Sequence, residues 1–388
     1  MAESTIKSGY ATILAIGQHA RPSTISGLDL STGEARTRKL TGCPTALGML
    51  GRARSRAAAP YRFAHGSGPC GFQPRRDLKA PGRHCEVIAV ASVPGGSEDR
   101  ALKDDGRDAE APLSEMTKAR PKIKQVWMPD AECEGLRDLT RAYEDAVSAS
   151  RRSKLRPSGF LLRHGTVWDG RTRGGRLRAT WGGAHADWLK TLRFGNRLDE
   201  LAFGRHLEAA AEDVERARRP RRDREGAAGS PRWRPYVDAL TRLRCVDVIT
   251  ALAFCATMGD LSRFGRGRSV SRYLGLTPGR HGGGPKVTGG GHITKAGDAR
   301  CRRAVIEGAA SVARSGGGRK YCRKGHGASP AIEAEAARRN TRDAARYAHL
   351  IEAGRAKDVA KTAVASMLAR DMWFVGTMVG SELAAKGR

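Results

Sequence analysis

Asp105 and Asp108 are the carboxylates whose spacing best suits chemistry. They stand three residues apart in KDDGRDAE, so a helix puts them on one face. Carboxylates so placed can hold Mg2+, and paired metal ions assist both attack and departure at a phosphodiester. The same pattern also describes a solvated acidic turn, and spacing alone does not choose between the two. A second stretch suits phosphate. Residues 279–291 hold seven glycines together with Arg280, His281 and Lys286. His292, Lys295, Arg300, Arg302 and Arg303 follow, around a helix start that Asp298 can cap. Bare backbone, positive charge and a helix N-terminus together suit a phosphodiester backbone. Lys286, Lys295, Arg300, Arg302 and Arg303 are therefore the candidate nucleic-acid contacts. His281 and His292 read as solvent-exposed or backbone-bonded side chains rather than metal ligands. Cys322 and His326 form half a zinc pattern with no second pair nearby, which favours a plain basic segment.

The composition points the same way. The chain has 388 residues with 70 Lys+Arg against 40 Asp+Glu, a net charge of +30. An excess this large implies a polyanionic partner, nucleic acid before an anionic membrane. The length predicts two or three domains, and 39% apolar content is enough for a core. No apolar run is long enough to span a bilayer, and the N-terminal stretch lacks the parts of a signal peptide. The expected location is therefore cytoplasmic and nucleoid-associated. None of the eight cysteines forms a CxxC pair, so they read as reduced and mostly structural.

Other elements must position those residues. YATILAI (residues 10–16) reads as a first strand, and residues 24–30 and 35–40 follow at hairpin spacing around Ser31, Thr32 and Gly33. CEVIAVA (85–91) is the clearest later strand, and residues 104–115 read as a helix containing a proline. Strands followed by alternating helices and strands predict an α/β layered domain. Residues 132–156 read as a helix with Leu136, Leu139, Tyr143 and Val147 as its seam. The segment 216–232 (RARRPRRDREGAAGSPR) reads as a basic linker and domain boundary. Residues 236–258 read as two helices meeting near Cys245 to Asp247. After the break at Thr277, Pro278 and Gly279, residues 279–291 read as a loop. Cys301, Val305, Ala309 and Val312 then give the next helix one apolar face. The basic tail ends in a helix over 356–378.

The order of these motifs resembles one transposase group. YLGLTP (273–278), a basic glycine loop, then GHITKAGDARCRR is similar to the C-terminal domain of the insertion-sequence one-ten family, the DEDD transposases. KDDGRDA (103–109) resembles that family's Lys-Thr-Asp-x-x-Asp-Ala segment, and SGPCGF (67–72) its Glu-Ala-Gly-Pro-Cys-Gly stretch. AIGQHA (15–20) sits where the family has Gly-Ile-Asp-Val-His-Lys. VWMPD, LRDLTRAYEDAV and FLLRHG also look like family segments, so the likeness runs from about residue 15 to residue 314.

The resemblance implies an α/β RNase H-like (RuvC-like) N-terminal domain over 10–125. It implies a helical, coiled-coil-like middle with a basic linker over 126–230. A mostly α C-terminal domain with a helix–hairpin–helix-like element covers 235–315, and a basic helical tail covers 316–388. It also implies Mg2+, DNA as partner, homo-oligomeric assembly on DNA and, in some members, a structured guide RNA. Its catalytic positions map unevenly. The first acid falls on Gly17, the second on Gly66, and the third and fourth on Asp105 and Asp108. The nucleophilic serine falls in Gly282-Gly283-Gly284, best at Gly283, and no serine occurs between residues 272 and 310. Asp29 and Glu86 are the acids that could replace a missing one, and Thr288 is the nearest hydroxyl. Cys245 stands where the hairpin turn normally has glycine. Three readings follow: a transposase with impaired catalysis, a non-catalytic nucleic-acid-binding remnant of one, or an unrelated basic RNA-associated protein.

Overall fold

The computed structural model describes residues 9–17, 23–40, 45, 48, 51, 59–68, 70–79, 83–93, 105–118, 123–281, 288–314 and 327–387. The chain forms two compact units, residues 1–128 and 129–388.

In the first unit, β1 (Thr12–Gly17), β2 (Ser23–Asp29), β3 (Ala35–Leu40), β4 (Tyr61–Gly66) and β5 (Arg83–Ile88) form one sheet in the order β3-β2-β1-β4-β5. β2 pairs antiparallel with β1 and β3, whereas β1, β4 and β5 run parallel. The period of two sorts side chains onto the two faces. Leu14, Ile16, Tyr61, Phe63 and Cys85 face a short helix, α1 (Gln73–Leu78), through Leu78. Ile13, Ala15, Ala64 and Ile88 face α2 (Asp105–Met116), through Leu113 and Met116. The edge strand β3 is exposed except for Leu40, and its arginines and lysine discourage pairing with another sheet. This mixed α/β sheet is compatible with the RNase H-like expectation.

The second unit is helical apart from one hairpin. Its longest members are α3 (Ala131–Arg163) and α5 (Arg197–Ala228), which pack along each other. Asp130 caps α3 by accepting from the Cys133 N–H at 2.9 Å, and Asn196 caps α5 from Asp199. At one end of the pair, Phe160 and Phe203 pack with Leu189 of α4 (Gly183–Thr191) and with Trp181, Trp188 and Phe194. Helix α5 runs unbroken through much of the segment expected to be a linker, with Pro220 inside it. Three of the basic residues that suggested a linker are paired within the helix: Arg216 with Asp213, Arg218 with Glu215, Arg221 with Glu225. Arg224 is buried, and its guanidinium reaches the Ile249 carbonyl at 2.7 Å.

The remaining helices complete the unit with α7 (Val248–Met258), in which every residue from 250 to 258 is buried. They are α6 (Arg234–Leu240), α8 (Gly267–Tyr273), α9 (Ala299–Arg314), α10 (Pro330–Glu352) and α11 (Lys357–Lys386). The hairpin β6 (Pro278–His281) and β7 (Thr288–Ile293) sits between α8 and α9. The final helix is longer than the sequence suggests, because Val375 and Val379 continue its buried face past residue 378.

α10 and α11 are joined by a buried ionic network. Asp371, fully buried on α11, is held by Arg339 and Arg342 of α10, and Asp343 shares Arg342. Burial and then the Asp371 charge raise the Asp343 carboxyl well above its ordinary value of 3.8. The folded state therefore binds a proton that the unfolded state releases, so this group's contribution to stability falls as pH rises from about 4 toward about 7. Asp343→Asn fixes the uncharged form. Its melting temperature relative to the unmodified chain should rise across that window and level off above it, which a pH series of thermal melts measures.

Candidate functional site

In the sheet of the first unit, β1 and β4 are parallel neighbours whose register runs to the pair Ile16 and His65. The next residues are Gly17 and Gly66, the last of their strands. They lie on the face already set by Ile13, Ala15 and Ala64, the face covered by α2. Two positions expected to carry acids are thus side by side at one sheet end, and both lack a side chain. A Cβ on Gly66 would meet the Cγ2 of the exposed Val90 at 2.9 Å, so a side chain there requires Val90 to shift. Asp105 and Asp108 lie in the opening turns of α2; their side chains are outside the described residues.

The proposed replacements are committed elsewhere. Asp29 pairs with Thr12, at the opposite end of β1 from Gly17. Its Oδ1 accepts from the Ser31 N–H at 2.8 Å, the Ser31 hydroxyl at 2.6 Å and the Thr32 N–H at 3.1 Å, which holds its carboxyl below the ordinary range. Five residues of strand separate it from Gly17, roughly 17 Å at 3.3 to 3.4 Å each. Glu86 is buried and held by Arg62 at 2.9 Å and by His84 Nε2 at 2.9 Å. Asp29 is too far to complete a metal site beside Gly17 and Gly66, and Glu86, on the next strand two residues before the partner of Gly66, is already engaged by Arg62 and His84. The buried His65 turns its Nδ1 to the Gly66 carbonyl at 3.0 Å, so that nitrogen is the donor. Burial lowers its tendency to charge.

Mg2+ needs several well-placed oxygen ligands. Gly17 and Gly66 supply no side-chain oxygen, and among the described residues no three His, Cys, Asp or Glu side chains group to hold a metal. The residues present at the two strand ends therefore do not fit a metal pair.

In the second unit the expected glycine loop is a β-hairpin. Its base is fixed by the Thr294 N–H donating to the Thr277 carbonyl and the Lys295 N–H donating to that of Gly275. Gly275 and Gly297 have φ of 67° and 81°, and a Cβ on either would strike backbone across the base at 2.2 and 1.9 Å. Residues 282–287, which include Gly283 and Lys286, lie outside the described residues, as do Cys322 and His326; the side chains of Arg280, His281 and Thr288 do too. His292 is exposed on β7.

Asp298 caps α9 by accepting from the Cys301 N–H at 2.7 Å, and Cys301, Val305 and Ala309 form its buried face. Val312 carries a side chain outside the described residues. The candidate cations divide by role. Lys295 is exposed. Arg302 is turned inward, donating to the carbonyls of Leu274 at 3.0 Å and Ala296 at 3.1 Å. Arg300 pairs with Asp145 at 3.0 Å, and Arg303 with Glu144 at 2.8 Å, both on α3. Sequence reasoning missed these partners because they lie more than 150 residues away.

Those pairs border a groove of about 950 Å3 between α3, α5, α9 and the turn joining α6 to α7. In the groove Glu144, Glu225, Asp247 and Glu307 offset Arg221, Arg300 and Arg303. The turn contains Cys245 at φ 75°, a left-handed conformation that glycine adopts without cost. The expectation of a glycine-type turn between two helices is met by the backbone. The Cys245 carbonyl also lies 2.7 Å from where a Cβ on Gly308 would stand, so α9 approaches the turn closely.

A mixed α/β sheet and, in the second unit, helices with a glycine-rich hairpin are compatible with a chain of the transposase class. Residues 237–323 match the family described as Transposase IS116/IS110/IS902. A putative transposase, y4qE, of Sinorhizobium fredii (strain NBRC 101917 / NGR234) is 32% identical over 318 residues, covering 81% of this chain and 74% of that protein. The transposase for insertion sequence element IS1533 of Leptospira borgpetersenii is 26% identical, over 53% of this chain and 58% of that protein. A probable family 20 transposase of Pseudomonas aeruginosa is 29% identical, over 62% and 67%. The chain belongs to the IS116/IS110/IS902 transposase family.

The left-handed turn gives a direct test. Cys245→Gly should leave thermal stability unchanged or raise it, whereas Cys245→Val should cost about 2 kcal/mol, since a β-branched residue at positive φ is strained. Equal melting temperatures for the two variants would show that the turn does not hold that conformation.

Proposed function

We propose that this chain is an insertion-sequence transposase that binds DNA and whose strand-cleaving chemistry is impaired. The observation that carries the impairment is the pair of glycines, Gly17 and Gly66, at adjacent parallel strand ends. The family position is supported by a relative matched over most of its length and by the C-terminal match. On this reading residues 10–125 are the RuvC-like domain, 126–230 the helical, coiled-coil-like region with its basic linker, 235–315 the C-terminal transposase domain and 316–388 a basic helical tail. DNA as partner is supported by the net charge of +30 and by the relatives' names. A structured guide RNA and homo-oligomeric assembly on DNA belong to the same reading through the family resemblance, as do Mg2+ and a location at the nucleoid. Among the described residues no helix is long and apolar enough to cross a membrane.

Of the chemistry, Asp105 and Asp108 keep the third and fourth acids, and Gly283 offers no nucleophile. Two carboxylates give a metal pair only part of its ligand set, and glycine at the serine position cannot form the covalent protein–DNA intermediate. The alternative, a binding remnant with no recombination at all, uses the same fold and differs only in residual activity.

Two outcomes are expected. Affinity for duplex DNA should fall steeply with salt, with a log–log slope of roughly −0.9 per neutralised phosphate. Titrations at several ionic strengths read this, and an affinity indifferent to salt would remove DNA as the partner. Because Arg300, Arg302 and Arg303 are held by the fold, Lys295→Ala should lower the slope more than Arg302→Ala does in variants that remain folded.

The second outcome concerns catalysis. The unmodified chain should show no Mg2+-dependent strand exchange on the element's end-joined DNA. The triple change Gly17→Asp, Gly66→Glu and Gly283→Ser is the minimal repair, and any one of the three alone should recover nothing, because such groups act as a unit. Recombination by the unmodified chain would mean that other residues carry the chemistry.

A further inference from the structure

Many arginines of the second unit pair with a carboxylate or donate to a backbone carbonyl, and a group around the start of α8 does neither. Arg266 and Arg268 flank the start of α8 and are exposed, and among the described residues neither pairs with a carboxylate. Arg370 of α11 joins them and bonds only hydroxyls: its Nε donates to the Ser271 Oγ at 3.0 Å and its terminal nitrogen to the Ser366 Oγ at 3.4 Å. The nearby carboxylate of Asp371 is buried and taken by Arg339 and Arg342. Burial and then the charge of Arg268 push the Arg370 guanidinium below its ordinary value, so the cluster is short of negative charge.

The three cations rim a shallow cavity of about 430 Å3 whose floor is Trp373 and Phe374. Trp373 is fixed, its indole N–H donating to the Leu261 carbonyl at 3.1 Å. Phe374 is 36% exposed, and the Arg339 guanidinium lies 4.0 Å from its ring centroid. A cavity of this size accepts one nucleotide. Arginines suit its phosphate, and an aromatic floor suits the face of its base. A base inside a duplex has both faces covered by its neighbours, so only an unstacked base can use such a floor.

We propose that Arg266, Arg268 and Arg370, with Trp373 and Phe374, form a binding site for an unpaired nucleotide of a single strand. The site lies apart from Gly17, Gly66 and the hairpin, and it rests on the reading that this chain is a nucleic-acid-binding transposase. Its ligand chemistry is common to DNA and RNA, so the test uses both strands.

The test measures binding of a short labelled oligothymidylate, the matching oligouridylate and a short duplex in about 0.1 M salt. Two variants probe the pocket. Arg266→Glu with Arg268→Glu reverses the unpaired rim, and Phe374→Leu removes the aromatic face while still covering Arg339. Arg219→Glu with Arg222→Glu, exposed on α5, makes the same charge change elsewhere. The rim variant should weaken single-strand binding about tenfold or more, with a duplex loss no greater than the control's. Phe374→Leu should weaken single-strand binding at least about fivefold and leave the duplex unchanged. Loss on either strand supports the site, and the strand more affected identifies its source. An unchanged Phe374→Leu affinity, or a rim variant no worse than the control on single strands, overturns this site alone. Failure of the unmodified chain to bind any of the three nucleic acids overturns the transposase reading with it.

Discussion

The second unit depends on burying one whole helix. Residues 250–258 of α7 are shielded all round, so the helix cannot pass its terminal polar groups to water. Its last carbonyls are met by arginines instead. Arg137 of α3 donates to the Ala256 carbonyl at 2.7 Å and to that of Thr257 at 3.0 Å, and Arg263 donates to that of Met258 at 3.0 Å. Cations at a helix C-terminus also complement its dipole. At the other end Asp247 caps the Thr250 N–H at 2.8 Å, and Arg224 reaches in from α5 to the Ile249 carbonyl. These bonds tie both long helices to the core, and α9 and α6 pack against the same helix.

It follows that the net charge of +30 is a poor guide to which arginines face a ligand. Arg137, Arg224, Arg263 and Arg302 serve backbone carbonyls, and Arg216, Arg218, Arg300 and Arg303 serve carboxylates. The sequence cannot sort them, since the sorting partner is often distant along the chain. Arg266 and Arg268 looked no different from the rest and stand out only once the cavity they share with Arg370, Trp373 and Phe374 is seen. The basic hairpin drew attention because glycine and lysine are concentrated there, a local signal that says nothing about pairing.

Where structure follows from local signals it was legible. The apolar run of β1, the hairpin turn at Ser31 to Gly33, the Asp298 cap and the two helices around Cys245 each rest on neighbouring residues. The misreadings are tertiary. The proline and charges of residues 216–228 argue locally against helix, yet α5 continues because it packs along α3 and its charges find partners one turn away. The glycines of 279–291 argue for an irregular loop, yet strand pairing and the close approach of Gly275 and Gly297 make a hairpin. The candidate catalytic positions were legible only by resemblance. Nothing in AIGQHA or HGSGPCG marks Gly17 and Gly66 as neighbours; strand register does.

That neighbourhood also bears on what glycine at these two positions does to the fold. Acids at adjacent strand ends repel each other unless a metal neutralises them, so an active centre of this kind is a cost to the folded state. Glycine at Gly17 and Gly66 removes that repulsion. It leaves the faces above and below untouched, because Ile13, Ala15 and Ala64 carry the packing on one side, and Leu14, Ile16 and Phe63 on the other. The β1–β4 register depends on backbone bonds that glycine also makes. Glycine at the two strand ends is therefore compatible with the packing on both faces, which Ala15, Ile16 and Ala64 carry just before them.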